Sequence, residues 1–171
     1  MNIILTTSGI GSRLHKYTKY TNKGLVKIGD KCTIDYIIDL FQDLENINFY
    51  VTIGYYGDFV KQYLEISYPE IKFNFIEISK YEGNGSSLIF SLLHCKNYVK
   101  GPFYYICCDT IIYENINFKN INENTLFVIN RRDSKSFSTI NIDHNKVTKV
   151  NNKGALEFDY SYIGMVYIKD Y

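Results

Sequence analysis

The chain has 171 residues, enough for one domain, and a domain near 150 residues removes roughly 70% of its unfolded surface from water. Hydrophobic residues make up 46% and charged residues 22%, ordinary globular usage that excludes a disordered chain. With 19 Lys and Arg against 18 Asp and Glu the net charge is +1, without the basic excess of a dedicated nucleic-acid binder. Any anionic ligand must therefore be held locally. In chain order, residues 2–6 read as a buried strand. Residues 33–44 read as a helix, because Ile34, Ile37, Ile38, Phe41 and Leu44 recur at helical spacing. Residues 49–53 form a second strand, and Phe59, Val60, Tyr63 and Leu64 mark a helix that ends before Pro69. Residues 71–78 alternate as a strand, 86–94 read as a helix, and 103–108 make a continuous apolar strand that ends at Asp109. From about residue 124 the pattern changes to strands at 125–130, 138–142, 147–150 and 162–168 without helices between them.

Alternating strands and helices predict an α/β domain with helices on both faces of a mostly parallel sheet, extended by mixed or antiparallel strands. We read the whole chain, 1–171, as a single three-layer α/β/α domain. No apolar run approaches the roughly 18 residues of a membrane span, and the start lacks a basic n-region and a cleavage site. Cys32, Cys95, Cys107 and Cys108 show no metal or redox spacing, which predicts free thiols and a reducing, cytoplasmic compartment. His15, His94 and His144 share no spacing and read as surface or helix residues, the tyrosines read as packing, and Arg131-Arg132 reads as a solvated strand end.

The first chemistry-bearing segment follows the first strand: Thr6-Thr7-Ser8-Gly9-Ile10-Gly11-Ser12-Arg13-Leu14. Ligands of open parallel sheets bind beyond the carboxyl ends of the strands. Gly9 and Gly11 let the backbone pass close to a ligand and aim N–H groups at phosphate oxygens, and Arg13 adds a planar donor fork. Leu14 stands where a dinucleotide fingerprint needs its third glycine, and by itself the loop reads equally as a tight turn with a surface arginine. Lys23, between this loop and a short strand, is the second candidate; alone it would be a solvated lysine. Asp109 at the sheet's carboxyl edge can hold Mg²⁺ together with substrate phosphates, or can cap the turn with Thr110. Glu82-Gly83-Asn84-Gly85-Ser86-Ser87 reads either as the lead-in to a helix N-cap or as backbone contact with a nucleobase.

In this order the pieces Gly9-Ile10-Gly11-Ser12-Arg13-Leu14, Asn22-Lys23, Gly85 and Asp109 resemble the nucleotidyltransferases that make nucleoside-diphosphate sugars from sugar 1-phosphates. Lys146 to Lys153 looks like that family's stretch ending in an EK pair, and Tyr162-Ile163-Gly164-Met165-Val166-Tyr167 like its substrate strand. The resemblance implies a nucleotide-diphospho-sugar-transferase-like fold. It implies transfer of a nucleoside monophosphate from a triphosphate to a sugar 1-phosphate, with pyrophosphate released and Mg²⁺ as cofactor. It further implies Arg13, Lys23 and Asp109 as catalytic, with Asp109 the metal ligand. Thr6, Thr7, Ser8, Gly9, Gly11, Ser12 and Gly85 are implied around the nucleotide, Lys153 and Gly164 around the acceptor.

Three positions depart from the pattern. Asn22 replaces a proline and is expected to loosen the approach of Lys23. Asn152 stands where a glutamate is usual. The family's second metal-binding aspartate lies beyond residue 171, which implies a truncated chain or a part of a longer or fused protein. Two other readings stand beside the sugar enzyme: a cytidylyltransferase acting on a non-sugar phosphate such as phosphocholine, and a non-catalytic nucleotide-binding domain. Expected partners are a nucleoside triphosphate and a phosphorylated small-molecule acceptor, with no nucleic acid, no membrane span, and a fused or omitted C-terminal segment.

Overall fold

A computed structural model describes residues 1–131 and 133–170, so of the Arg131-Arg132 pair Arg132 lies outside the described residues. The elements run β1 (Asn2–Thr6), β2 (Lys27–Ile28), β3 (Lys31–Cys32), α1 (Thr33–Leu40), β4 (Asn48–Ile53), α2 (Gly57–Ser67), β5 (Phe73–Glu77) and α3 (Leu88–Cys95). They continue with β6 (Phe103–Cys107), β7 (Thr125–Ile129), β8 (Thr139–Asp143), β9 (Lys146–Asn151) and β10 (Tyr160–Ile168). The main sheet has the order β5-β4-β1-β6-β10-β8-β9, with β7 also paired to β10. Pairings from β5 through β6 are parallel; those made by β10 and β8 are antiparallel.

The central strands are continuous apolar runs because both of their faces are covered. Ile3, Leu5, Phe49, Val51, Tyr104 and Ile106 face α1 and α2, packing on Ile34, Ile37, Phe41, Val60 and Leu64. Their alternates Ile4, Ile76 and Tyr105 face the other layer with Cys95 and Val99. The expected helix over 33–44 stops at Leu40, after which Phe41, Gln42 and Leu44 donate to the third residue back. Phe41 stays fully buried, so the apolar stripe outlasts the helix whose period it announced. Between α1 and α2 lies a buried carboxylate. Asp35 accepts from the Cys32 N–H and from the Tyr63 and Tyr68 hydroxyls, each at 2.8 Å.

What the fold does for function is set by register. Thr6 sits opposite both Thr52 and Cys107, so β1, β4 and β6 end at one level and their exit loops share one rim. At the far side β9 is exposed along nearly its whole length and carries Lys146 and Lys149, charges that guard an open edge. All four cysteines are free thiols, and among the described residues no helix is long and apolar enough to cross a membrane.

Candidate functional site

A cleft of about 350 Å³ opens at the shared rim. Thr6, Ser8, Gly9, Arg13, Lys23 and Asp109 line one part of it, and Lys80, Tyr81, Ser86, Ser87 and Ser91 line another. Two loops of β1 and β6 thus bring together residues more than 80 positions apart. Lys23 Nζ donates to Asp109 Oδ2 at 3.3 Å, with the lysine side chain 17% and the aspartate 40% exposed. Desolvation works against the buried ammonium, but the flanking Cys108 and Asp109 outweigh it and hold Lys23 above the ordinary lysine value. Burial pushes the Cys108 thiol up to about 12, so at neutral pH that thiol is uncharged and Asp109 is the charge that matters. Arg13 and Lys80 have no carboxylate partner among the described residues. The cleft therefore offers two uncommitted cations and one carboxylate already shared with a third, a balance suited to a polyanion.

Gly9 and Gly11 play different parts in the loop after β1. A Cβ on Gly9 would meet nothing within 4 Å, so bare backbone faces the opening. Gly11 has φ +65°, and a Cβ there would lie 3.1 Å from both the Lys23 Cβ and the Thr18 methyl. Glycine is thus needed twice over, for the left-handed backbone and to let the Lys23 stem pack against the loop. Thr7 takes another role. Its hydroxyl donates to Thr52 O at 2.7 Å, its N–H donates to the same carbonyl, and its own carbonyl accepts from Asn22. With every polar group engaged inward, Thr7 is structural. Ser12 lines a neighbouring recess with His15, Lys16, Lys19, Tyr55 and Glu82.

Gly85 has φ +88°, and a Cβ on it would come within 2.9 Å of the Lys80 amine, which occupies the space above its backbone. Of the two readings of its segment the helix cap is present, since Ser87 caps α3 by accepting from Phe90 N at 3.1 Å; Ser87 also lines the cleft. Gly164 (φ +85°) lies behind the cleft floor, where a Cβ would press on Cys107 Sγ at 3.1 Å and Thr110 Oγ1 at 3.2 Å. Lys153 is exposed in the loop after β9 and does not line the cleft.

Asn22 reverses the expectation of a loosened lysine. Its side chain is fully buried and makes three hydrogen bonds, two donated and one accepted. Sequence reasoning missed Lys80 and Ser91 as cleft residues, whereas Ser86 and Ser87 belong to the Glu82 to Ser87 segment it singled out. Lys80 follows the third parallel strand just as the Thr6 loop follows the first, a signal that strand order alone could have supplied. Ser91 could not have been found that way, because its place depends on a 3.1 Å contact between its hydroxyl and that of Ser8.

No group of three His, Cys, Asp or Glu side chains that could hold a metal occurs among the described residues. Mg²⁺ commonly binds through one or two carboxylates, completed by substrate phosphates and water. Asp109, part-exposed and with Oδ1 uncommitted, fits that donor set with a nucleotide present rather than as a cage by itself.

No family model matches this sequence. The chain is 28% identical over 159 residues to a bifunctional protein GlmU of Methanococcus maripaludis, a match covering 92% of this chain and 36% of that protein. It thus spans about a third of that relative's length. Among solved structures it superposes on a putative glucose-1-phosphate thymidylyltransferase from Bacillus anthracis with TM-score 0.80 and 22% identity, over 99% of this chain and 71% of that one. It superposes on a CTP:phosphocholine cytidylyltransferase from Streptococcus pneumoniae with TM-score 0.74 and 21% identity, over 99% and 71%. The fold is that of the nucleotide-diphospho-sugar transferases, as the motif order implied.

Proposed function

We propose that this chain is a nucleotidyltransferase domain that transfers a nucleoside monophosphate from a nucleoside triphosphate to a sugar 1-phosphate. An oxygen of the acceptor phosphate attacks the α-phosphorus, the α–β anhydride bond breaks, and pyrophosphate leaves with the electron pair. Such a reaction asks for positioning and charge neutralisation rather than a covalent group on the protein. The observation that carries the reading is the Lys23–Asp109 pair at 3.3 Å, in a cleft that also holds Arg13, without a carboxylate partner among the described residues, and the bare backbone of Gly9.

In this reading the Gly9 to Ser12 backbone and Arg13 hold the triphosphate and the departing pyrophosphate. Lys23 neutralises charge where the α-phosphate and the incoming phosphate meet. Asp109 would hold Mg²⁺, which when bound neutralises phosphate oxygens. Thr6 and Ser8 would face the base, with Lys80 a donor-only group beside them and the Gly85 backbone packed against the Lys80 amine. Gly164, assigned to the acceptor side, packs behind Cys107, where a side chain would crowd Cys107 and Thr110. The four free thiols support a reducing compartment, and the named relative and neighbours support the reaction class.

A second reading keeps the reaction and changes the acceptor to a non-sugar phosphate. It is favoured by Lys153, the expected anchor of a sugar phosphate, standing outside the cleft, and by the cytidylyltransferase neighbour. Pyrophosphate release by this chain with Mg²⁺, assayed over a panel of triphosphates crossed with sugar 1-phosphates and phosphocholine, tests both. Turnover with a sugar 1-phosphate supports the first reading and turnover with phosphocholine alone the second. No turnover with any pair overturns both.

A further inference from the structure

The residue before Lys23 gathers more of the site than its position in sequence suggests. Asn22 donates one amide proton to the Thr7 carbonyl at 2.7 Å and the other to the Tyr55 carbonyl at 2.6 Å. Its Oδ1 accepts from the Gly24 N–H at 2.9 Å. Turning the amide over would set its oxygen against two carbonyls, so the two acceptors fix its orientation. Three segments meet in this one group: the exit of β1, the exit of β4, and the turn that presents Lys23. The first two are themselves joined, since Tyr55 N donates to Ser8 O at 3.0 Å. The stem of Lys23 then rests on Gly11, whose φ of +65° and missing side chain leave it room.

We infer that Asn22 is a positioning residue: through its three buried hydrogen bonds it fixes the lysine turn relative to the phosphate cradle, and so holds the Lys23 amine at Asp109. Its effect on turnover rests on the reading of the cleft as a nucleotidyltransferase site; its effect on where Lys23 sits does not. The backbone supplies a clean probe. Asn22 has φ −73° and ψ 147°, angles a proline adopts, and its N–H donates no hydrogen bond among the described residues. Asn22→Pro thus deletes all three side-chain bonds while matching the backbone. Asn22→Ala deletes the same bonds without fixing φ; both variants leave the Thr7 and Tyr55 carbonyls and the Gly24 N–H without their side-chain partner, so the pair separates the loss of the bonds from any effect of the proline ring.

The test has two independent readouts on the folded chain. First, acetylation of lysines by N-hydroxysuccinimidyl acetate is followed residue by residue by peptide mass spectrometry, with the exposed Lys72 as internal reference. Asn22→Pro is expected to speed Lys23 acetylation at least about fivefold with Lys72 unchanged, while circular dichroism and the melting temperature report a folded domain. Second, where the wild type releases pyrophosphate, Asn22→Pro is expected to lower kcat by about 10- to 100-fold, the scale of a displacement near 1 Å. In a Lys23→Ala background the same substitution should then cost almost nothing further. Unchanged Lys23 acetylation, equal acceleration at every lysine, loss of the fold in both variants, or fully additive kinetic losses would each overturn the positioning role. A wild type without turnover sinks the proposed reaction instead, and the acetylation result still decides on Asn22.

Discussion

The two halves of the sheet differ in direction, covering and chemistry. From β5 to β6 the strands run parallel, the inner ones are covered on both faces, and they release their loops at one rim. Everything that lines the cleft comes from that half or from the loops and helix it carries. From β10 to β9 the strands run antiparallel, their exits alternate between two edges, and the outermost strand is almost wholly exposed. Lys153, offered by the antiparallel half, stays in solvent, and Gly164 packs behind Cys107 rather than lining the cleft. Parallel direction concentrates loop residues at one place, and antiparallel direction disperses them. Function should therefore be sensitive to single residues in the first half and tolerant in the second.

The sharpest break in that contrast comes from the cleft charges. Asp109→Ala or Arg13→Ala is expected to lower the rate of pyrophosphate release by about 10²–10³, the usual cost of removing one preorganised charge. The melting temperature should stay near wild type, because Asp109 and Arg13 are solvent-accessible. Near-wild-type turnover in either variant would remove that residue from the proposed machinery.

Next in size is a loss of stability rather than of chemistry. Asp35→Ala strands two tyrosine hydroxyls and a backbone N–H at the joint of α1 and α2, which should cost about 3 kcal/mol. For a chain of this size that is a fall of roughly 6–12 °C in Tm, measurable by thermal unfolding. A shift below about 2 °C would mean that the joint repacks around the gap.

A smaller effect follows from the buried thiols. Burial raises Cys95 to about 12, as it does Cys108. In the unfolded chain a thiol ionises near its ordinary value of about 8.5, so between there and about 12 the unfolded state loses protons first. Stability should consequently fall as pH climbs through that window and be unaffected below it. Cys95→Ala should flatten the fall in a urea-midpoint profile taken against pH, and an unchanged slope would argue that Cys95 ionises freely in the fold.

The smallest effect belongs to the antiparallel edge. Lys149→Ala on β9 should change stability by no more than about 0.5 kcal/mol and leave turnover alone, checked by denaturation midpoint and pyrophosphate release. What it should change is solubility at high concentration, because it strips a charge from an open strand edge. A loss of activity there would erase the division between the two halves.

Periodicity was enough to find α1, α2, α3 and the central strands, because a strand covered on both faces must be apolar throughout and a covered helix must repeat its apolar stripe. It misjudged where α1 ends, since Phe41 keeps its burial after the helical bonding has ceased. Gly9, Arg13, Lys23 and Asp109 were legible as residues of one rim because each lies just beyond a strand end or between two such loops. Thr7, Ser12 and Lys153 were not, because a residue's place in a loop does not say which way its side chain turns. Asn22 was misread for a related reason: as a departure from a motif it looked like a loss, and only its three partners show that it binds the loop together.

By itself the amino-acid sequence determined the kinds of element, their alternation, and the residue types that could meet a phosphate, because these follow from local sterics and from the spacing of apolar side chains. Tertiary structure alone decided which of those residues meet. Strand order and the level at which β1, β4 and β6 end bring Gly9, Lys23, Lys80 and Asp109 to one cleft, and neither is encoded in any stretch short enough to read locally.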